Sequence, residues 1–150
     1  MIQQAAKALP DLYEADETAW LEAMADLIRA GKYKDLDYAH LSEYLSDMAM
    51  RDRREVQSRL RILLAHVLQW ESRKKKRTGS RKATILRQRD ELELLLESAA
   101  LRSHADVVLP RTYATAVELA AVETGVPAET FPRECPYTVE RLLAEDLPGK

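Results

Sequence analysis

The sequence predicts an all-α fold, a single domain over residues 1–150 that forms a bundle of about five helices. Apolar residues recur at steps of three and four along most of the chain, which is the spacing of one helix face. Only four glycines and six prolines interrupt the 150 residues, and no segment shows the alternation typical of a half-buried strand. A chain of this length can bury roughly two-thirds of its unfolded surface, which favours one hydrophobic core.

The first predicted helix covers about 17–30. Asp16 is a favourable N-cap, and Gly31 suits the left-handed residue that ends many helices. Between them, Trp20 and Met24 recur at helical spacing. Residues of the appropriate type therefore mark both ends of this helix.

The second predicted helix is the longest, from 38 to 71, with Asp37 as its cap. Its apolar stripe runs from Leu41 to Trp70, and no glycine or proline occurs within it. The stripe loses its apolar character near 49–54, which leaves open a kink there. Because sharp kinks usually need a breaker residue, a continuous helix is slightly favoured.

Three further helices follow. The third covers about 81–98 with Ser80 as its cap, and its inner face contains Ile85, Leu92, Leu95 and Leu96. The fourth covers roughly 103–124 and ends at a glycine, although Pro110 leaves open a separate short helix at its start. Thr138 caps a short final helix.

Composition restricts the class of protein. The longest apolar run, "ILLAHVL" at 62–68, is too short to cross a bilayer, and the first ten residues do not resemble a signal peptide. Cys135 is the only cysteine, which excludes an intrachain disulfide and zinc sites of several cysteines. We therefore expect a globular cytoplasmic protein without a membrane partner.

A basic run dominates the charge pattern. Residues 51–89 contain 14 basic and 3 acidic residues, net +11, whereas 1–50 and 90–150 have net charges of −6 and −7. Its most basic part could bind nucleic acid through Arg73, Lys74, Lys75, Lys76, Arg77, Arg81 and Lys82. However, the acidic flanks would repel phosphate and no helix-turn-helix or zinc-finger pattern frames the run. A mobile, exposed connector is therefore favoured.

No catalytic or cofactor motif occurs in the sequence: it has no phosphate-binding loop, dinucleotide turn or nucleophile elbow. A helical metal protein or enzyme would use Glu43, Asp47, Glu55 and His66. Four-helix metal sites also need Glu-x-x-His pairs, which are absent, so ion pairs of Arg51 with Asp47 and Glu55 are favoured. His66 is more readily interpreted as a hydrogen-bonded core or boundary histidine. No cofactor and no catalytic residue are predicted.

Several segments resemble, in order over about 13–147, the bacterial Domain of Unknown Function 29 family. They are "DETAW" at 16–20, "IRAGKYKDLD" at 28–37, "LSEYL" at 41–45, "RDRREVQSRLRILLAHVLQW" at 51–70, "ATILRQR" at 83–89, "ETG" at 123–125 and "FPRECPYTVERLL" at 131–143. The resemblance implies a single all-helical domain and supplies no established activity, substrate or cofactor. Residues 1–12 and 148–150 are expected to be flexible.

The chain departs from the family pattern at four positions. Tyr44 stands where an acidic residue is usual, and Ala49 lies near a usual glycine. Arg81 and Tyr137 each stand where a tryptophan is usual. The loss of the acidic residue weakens a carboxylate site, and Arg81 makes this connector more basic than is usual in the family.

These observations favour a non-enzymatic helical interaction module with an unidentified macromolecular partner, a protein rather than a nucleic acid. The alternatives are a nucleic-acid-binding domain that uses the 71–89 surface and the helical metal protein or enzyme described above. The oligomeric state does not follow from the sequence.

Overall fold

The computed structural model describes residues 8–144, which contain six α-helices and no β-strand. The helices are α1 (Leu9–Ala15), α2 (Glu17–Arg29), α3 (Tyr38–Ser72), α4 (Gly79–Leu95), α5 (Ala99–Thr124) and α6 (Val139–Ala144). Short 3-10 turns occupy Tyr33–Asp35, Lys74–Lys76 and Ala128–Thr130. The predicted all-α class is confirmed.

The chain divides after Met50 into two compact units. The first contains α1, α2 and the start of α3, and the second contains the rest of α3 with α4, α5 and α6. Helix α3 runs without interruption through 49–54, so the continuous helix is confirmed. That the two units form one cooperative domain stays a prediction.

Local capping determines the ends of α2 in the first unit. The Oδ1 atom of Asp16 accepts a hydrogen bond from the Ala19 N–H at 3.1 Å, and Gly31 has a φ of 72°. Both features agree with the predicted ends, since a side-chain acceptor satisfies a first-turn N–H and glycine adopts positive φ without strain. Trp20 and Met24 are buried, as their spacing indicates.

Helix α1 was not predicted, and Leu9–Leu12 were expected to be flexible. Pro10 suits its first turn, where the missing proline N–H removes no hydrogen bond within the helix. Because α1 has only 7 residues, its apolar positions Leu9, Leu12 and Tyr13 span little more than one turn, too short a pattern to mark a helix in the sequence. Residues 1–7 and 145–150, and with them the predicted flexibility of 148–150, lie outside the described residues.

Helices α3 to α6 build the core of the second unit. The buried residues include Val56, Leu60, Leu63, Leu64, Ile85, Leu92, Leu96, Ala105, Tyr113, Ala116, Val139 and Leu142. The predicted inner faces of α3 beyond residue 55 and of α4 are therefore confirmed. Nearer the start of α3, the predicted apolar stripe is wrong at Leu45, because this side chain is 60% exposed.

Two helix starts differ from the prediction, and α4 ends at Leu95 rather than near 98. Helix α4 begins at Gly79, because Thr78 rather than Ser80 caps it: the Thr78 hydroxyl accepts a hydrogen bond from the Arg81 N–H at 3.1 Å. Helix α5 begins at Ala99 and continues through Pro110 as one helix. Because Pro110 is exposed and the helix is anchored by buried residues on both sides of it, one lost backbone hydrogen bond does not end the helix.

The last two sequence signals are confirmed. Gly125 ends α5 in the left-handed conformation with a φ of 74°. The Thr138 hydroxyl accepts a hydrogen bond from the Arg141 N–H at 3.1 Å at the start of α6. None of the described helices combines the length and the apolar character needed to cross a bilayer.

Candidate functional site

The basic segment between α3 and α4 contains two kinds of cation. Lys74, Lys75 and Lys76 form a 3-10 turn and are exposed. Arg73, Arg77 and Arg81 are partly buried, and each donates a hydrogen bond to a residue of α3 or α5. We call Lys74–Lys76 the lysine turn and the three arginines its anchors.

Two anchors bind backbone carbonyls at helix C-terminal ends. Arg73 donates from Nη1 to the carbonyl oxygen of Thr124, the last residue of α5, at 3.0 Å. Arg77 donates from Nε to the carbonyl oxygen of Trp70, in the last turn of α3, at 2.8 Å. The last carbonyls of a helix have no hydrogen-bond partner within the helix and carry partial negative charge. A guanidinium supplies both the missing donor and a compensating positive charge.

The third anchor enters a buried polar network. Arg81 donates to Oε1 of Gln69, which is only 2% exposed, and the Gln69 amide donates from Nε2 to Glu123 Oε1 at 3.2 Å. A buried amide without partners would cost free energy, and this one has a partner at each end. The network links α4, α3 and α5.

His66 lies near this network, but not as the hydrogen-bonded histidine that was predicted. Its Nδ1 atom is buried and has no hydrogen-bond partner among the described residues. Burial lowers the pKa of His66 and the positive charge of Arg81 lowers it further, whereas Glu123 opposes both effects. The imidazole is therefore neutral near pH 7, since its pKa lies below the ordinary value of about 6.5.

The anchors correct the prediction of a mobile connector without attachment to the core. No apolar residue attaches the segment, but its arginines do, and their partners are carbonyl and amide oxygens rather than the acidic ends of the chain. Lys82, at the start of α4, is partly buried. Nucleic-acid contact by these seven cations stays a prediction.

The residues proposed for a metal site do not form one in the described part of the chain. Among residues 8–144, no group of three or more His, Cys, Asp or Glu side chains is placed to hold a metal ion, so Glu43, Asp47, Glu55 and His66 form no such group. The predicted partner of Glu55 is also wrong: its Oε1 accepts from Arg59 Nε at 3.0 Å instead of from Arg51.

The first unit contains a polar cluster that the sequence analysis did not identify. Asp37 Oδ2 accepts from Trp20 Nε1 at 3.1 Å and lies 2.8 Å from His40 Nδ1. Tyr13 stacks on the His40 ring, with 4.2 Å between centroids. Burial by itself would raise the pKa of Asp37, but the hydrogen bonds from His40 and Trp20 outweigh it and lower the pKa. Asp37 was predicted only as a helix cap, and its i,i+3 spacing from His40 is the signal that could have revealed the pair.

This cluster joins three segments through one carboxylate. A carboxylate on Nδ1 orients the imidazole ring and leaves Nε2 at its outer side. The Nε2 atom of His40 lies 3.9 Å from Glu14 Oε1 in α1. The arrangement therefore connects α1, α2 and the start of α3 within the first unit.

The chain matches a known family over most of its length. The family model described as Domain of unknown function DUF29 matches residues 12–147, nearly the whole chain. The chain belongs to this family. No curated protein and no solved structure matches it.

Arg81 and Tyr137 each link α3 to another part of this DUF29 chain through a hydrogen bond. Arg81 is the anchor that binds Gln69. Tyr137 donates from its hydroxyl to Glu71 Oε2 at 2.6 Å. Burial raises the pKa of Tyr137 and the hydrogen bond to Glu71 raises it further, so the hydroxyl remains a donor.

Proposed function

We propose that this DUF29 chain is a non-enzymatic, cytoplasmic interaction module that binds an acidic segment of a partner protein through the lysine turn. The observation that supports the proposal is the division between anchored arginines and exposed lysines. Lys74, Lys75 and Lys76 form no ion pair with any acidic residue in the described part of the chain. Their charges are available to a partner.

The anchors reduce the cost of binding. A flexible loop loses backbone entropy when it binds, whereas a turn whose ends are already hydrogen-bonded loses mainly side-chain freedom. Arg73 and Arg77 are the two residues that flank the turn, and each is fixed by its own hydrogen bond to a backbone carbonyl. The three adjacent positive charges would also steer an acidic partner during encounter, an effect that weakens as salt increases.

A protein is favoured over a nucleic acid for two reasons. Single-stranded nucleic acid is commonly bound by stacking bases on aromatic side chains, and Trp70, the aromatic residue nearest to the turn in sequence, is 3% exposed. The segments 1–50 and 90–150 have net charges of −6 and −7, which disfavours long contact with phosphates. A short acidic peptide segment needs only the turn itself.

Fluorescence anisotropy with a labelled oligo-glutamate peptide tests this proposal. We expect wild-type protein to bind at low salt and the Lys74→Gln, Lys75→Gln, Lys76→Gln variant to lose binding. The control replaces Lys32, Lys34 and Arg133 with Gln; these residues are exposed, and the net charge is the same as in the test variant. Equal loss in the control would show that bulk charge is responsible, and tighter binding of a single-stranded oligonucleotide of equal charge would support nucleic acid instead.

A further inference from the structure

A shallow groove that is open to solvent lies between α3 and α5 in the second unit, separate from the lysine turn. Its volume is about 280 Å³, and its lining residues are Arg54, Gln57, Ser58, Arg61 and Thr115. Four of the five belong to α3 and Thr115 belongs to α5. All five side chains are polar and none is acidic.

The four α3 residues lie on one helix face. Their spacing is that of positions i, i+3, i+4 and i+7, which places them on a face other than the buried one, and Arg54, Ser58 and Arg61 are exposed. Here these positions contain two guanidinium groups, one amide and one hydroxyl. Arg54 and Arg61 are two turns apart, about 10.5 Å along the helix axis, and Ser58 lies between them. The face therefore presents hydrogen-bond donors along its whole length.

The charges of these two arginines are not neutralised by their helical neighbours. No residue three or four positions from Arg54 or Arg61 is acidic, and neither forms an ion pair within the described part of the chain. Arg59, on another face of the same helix, differs: it binds Glu55 at 3.0 Å and lies 3.8 Å from Glu91. The groove thus concentrates two positive charges that have no partner.

We propose that this groove binds the dianionic phosphate group of a small phosphate monoester. Guanidinium groups donate two parallel hydrogen bonds to phosphate oxygens, and two of them match the charge of a monoester near neutral pH. Gln57 and Ser58 supply further donors. The Thr115 hydroxyl already donates to the Thr112 carbonyl at 2.9 Å, so its oxygen is left to accept a hydrogen bond from a ligand hydroxyl.

The volume of the groove suits a small ligand. Pockets for drug-sized molecules typically have volumes of about 300–1,000 Å³, and this open groove is slightly smaller at about 280 Å³. That volume suits a phosphate group with a small organic substituent. This site goes beyond the proposed function, since both the surface and the class of ligand differ.

NMR titration of the full chain with inorganic phosphate, methyl phosphate and dimethyl phosphate tests the proposal. We expect saturable shifts at 54–61 and at Thr115 with the first two probes, and much weaker ones with the monoanionic diester. Arg54→Gln or Arg61→Gln should each weaken binding at least about tenfold, because each removes charge-assisted hydrogen bonds. Arg87→Gln is the control, since Arg87 is exposed on α4 and does not line the groove.

The pH dependence supplies a second measurement. Below about pH 6 a phosphate monoester loses one negative charge, so methyl phosphate should bind more weakly, whereas sulfate, which stays a dianion, should not. If either glutamine variant fails to fold, Arg→Lys at the same position keeps the charge and should still weaken binding by removing the planar donor pair. Equal binding of monoester and diester, or no loss in the arginine variants, would overturn the proposal.

The two proposals fail independently. The triple lysine variant should bind methyl phosphate as the wild type does, and the Arg54→Gln variant should still bind oligo-glutamate. Loss of phosphate binding in the triple lysine variant would assign the phosphate shifts to the lysine turn and reject the groove.

Discussion

Arg77 donates a hydrogen bond to the backbone carbonyl of Trp70, and its guanidinium carbon lies 5.2 Å from the centroid of the Trp70 ring. One cation therefore satisfies a carbonyl at the end of α3 and covers the face of a buried indole. A guanidinium at this distance from an aromatic face contributes a cation–π attraction in addition to the hydrogen bond. A lysine at this position would lack the planar donors.

The first prediction separates the anchors from the lysine turn. Arg77→Gln should reduce the free energy of unfolding by about 1–3 kcal/mol, the combined size of a hydrogen bond and a cation–π contact. Lys74→Gln, Lys75→Gln and Lys76→Gln together should change it little, because exposed charges are worth only about 0–1 kcal/mol each. Urea unfolding measures both. A larger loss in the triple lysine variant than in the arginine variant would contradict the assignment.

The second prediction concerns the core of the second unit. Leu63→Ala and Leu96→Ala should each destabilise the protein by about 2–5 kcal/mol, with Leu63 toward the upper end because it is fully buried. Leu94→Ala is the control: that side chain is 65% exposed, so its removal should cost less than about 0.5 kcal/mol. Thermal or urea unfolding is the measurement. Equal destabilisation by Leu63→Ala and Leu94→Ala would show that the buried face assigned to these helices is wrong.

The third prediction concerns Asp37 and acid. Because its pKa is lowered in the folded protein, the folded state binds fewer protons than the unfolded state as pH falls below the ordinary value of about 3.9. The stability from this carboxylate is present above that value and is lost as pH falls through the folded pKa. Asp37→Asn keeps the size and the capping ability but removes the charge.

We therefore expect Asp37→Asn to lower the stability of the first unit by about 1.5–3 kcal/mol near pH 7, the usual range for a hydrogen bond to a charged group. The difference from the wild type should shrink in acid. Trp20 donates to this carboxylate, so its fluorescence reports the change. If the difference in unfolding free energy between wild type and variant stays constant down to about pH 3, Trp20 and His40 do not stabilise the charged form of Asp37.

The fourth prediction uses His66 to report on the third anchor. The positive charge of Arg81 lowers the pKa of His66 and the negative charge of Glu123 raises it. Arg81→Gln should therefore raise this pKa and Glu123→Gln should lower it, as followed by NMR titration of the imidazole. Lys75→Gln should leave it unchanged, since Lys75 is an exposed residue of the lysine turn. Shifts of the same sign in the first two variants would contradict the network.

The fifth prediction tests the single domain. The chain has two tryptophans, Trp20 in the first unit and Trp70 in the second. Trp70→Phe leaves a reporter in the first unit, and Trp20→Phe leaves one in the second. Because α3 continues from one unit into the other, melting of either part should destabilise the helix in the other part. We expect far-UV circular dichroism and tryptophan fluorescence to give coincident urea transitions in each variant, and separate transitions would indicate two domains.

Signals within one helical turn predicted the fold well. Asp16, Gly31, Gly125 and Thr138 each act at a helix end through a partner or a φ angle that depends only on neighbouring residues. Helix α3 was favoured as continuous because no breaker residue occurs within it. Helix α1 was missed because its apolar pattern spans little more than one turn of a 7-residue helix. Pro110 left open a separate helix start, but buried residues on both sides of it keep α5 continuous.

The sequence by itself determined that residues 73–82 form a concentrated group of cations between two helices. Only the tertiary structure decided which of them are available to a partner, because packing selects the acceptors. The carbonyl that binds Arg73 is 51 residues distant, whereas Arg77 and Arg81 bind acceptors 7 and 12 residues back in α3. The number of charges in a segment does not show whether a guanidinium binds the last carbonyls of a helix or an ammonium group remains in solvent. The groove likewise depends on tertiary structure. The sequence places Arg54 and Arg61 on one face of α3, but only the packing of α5 brings Thr115 beside them.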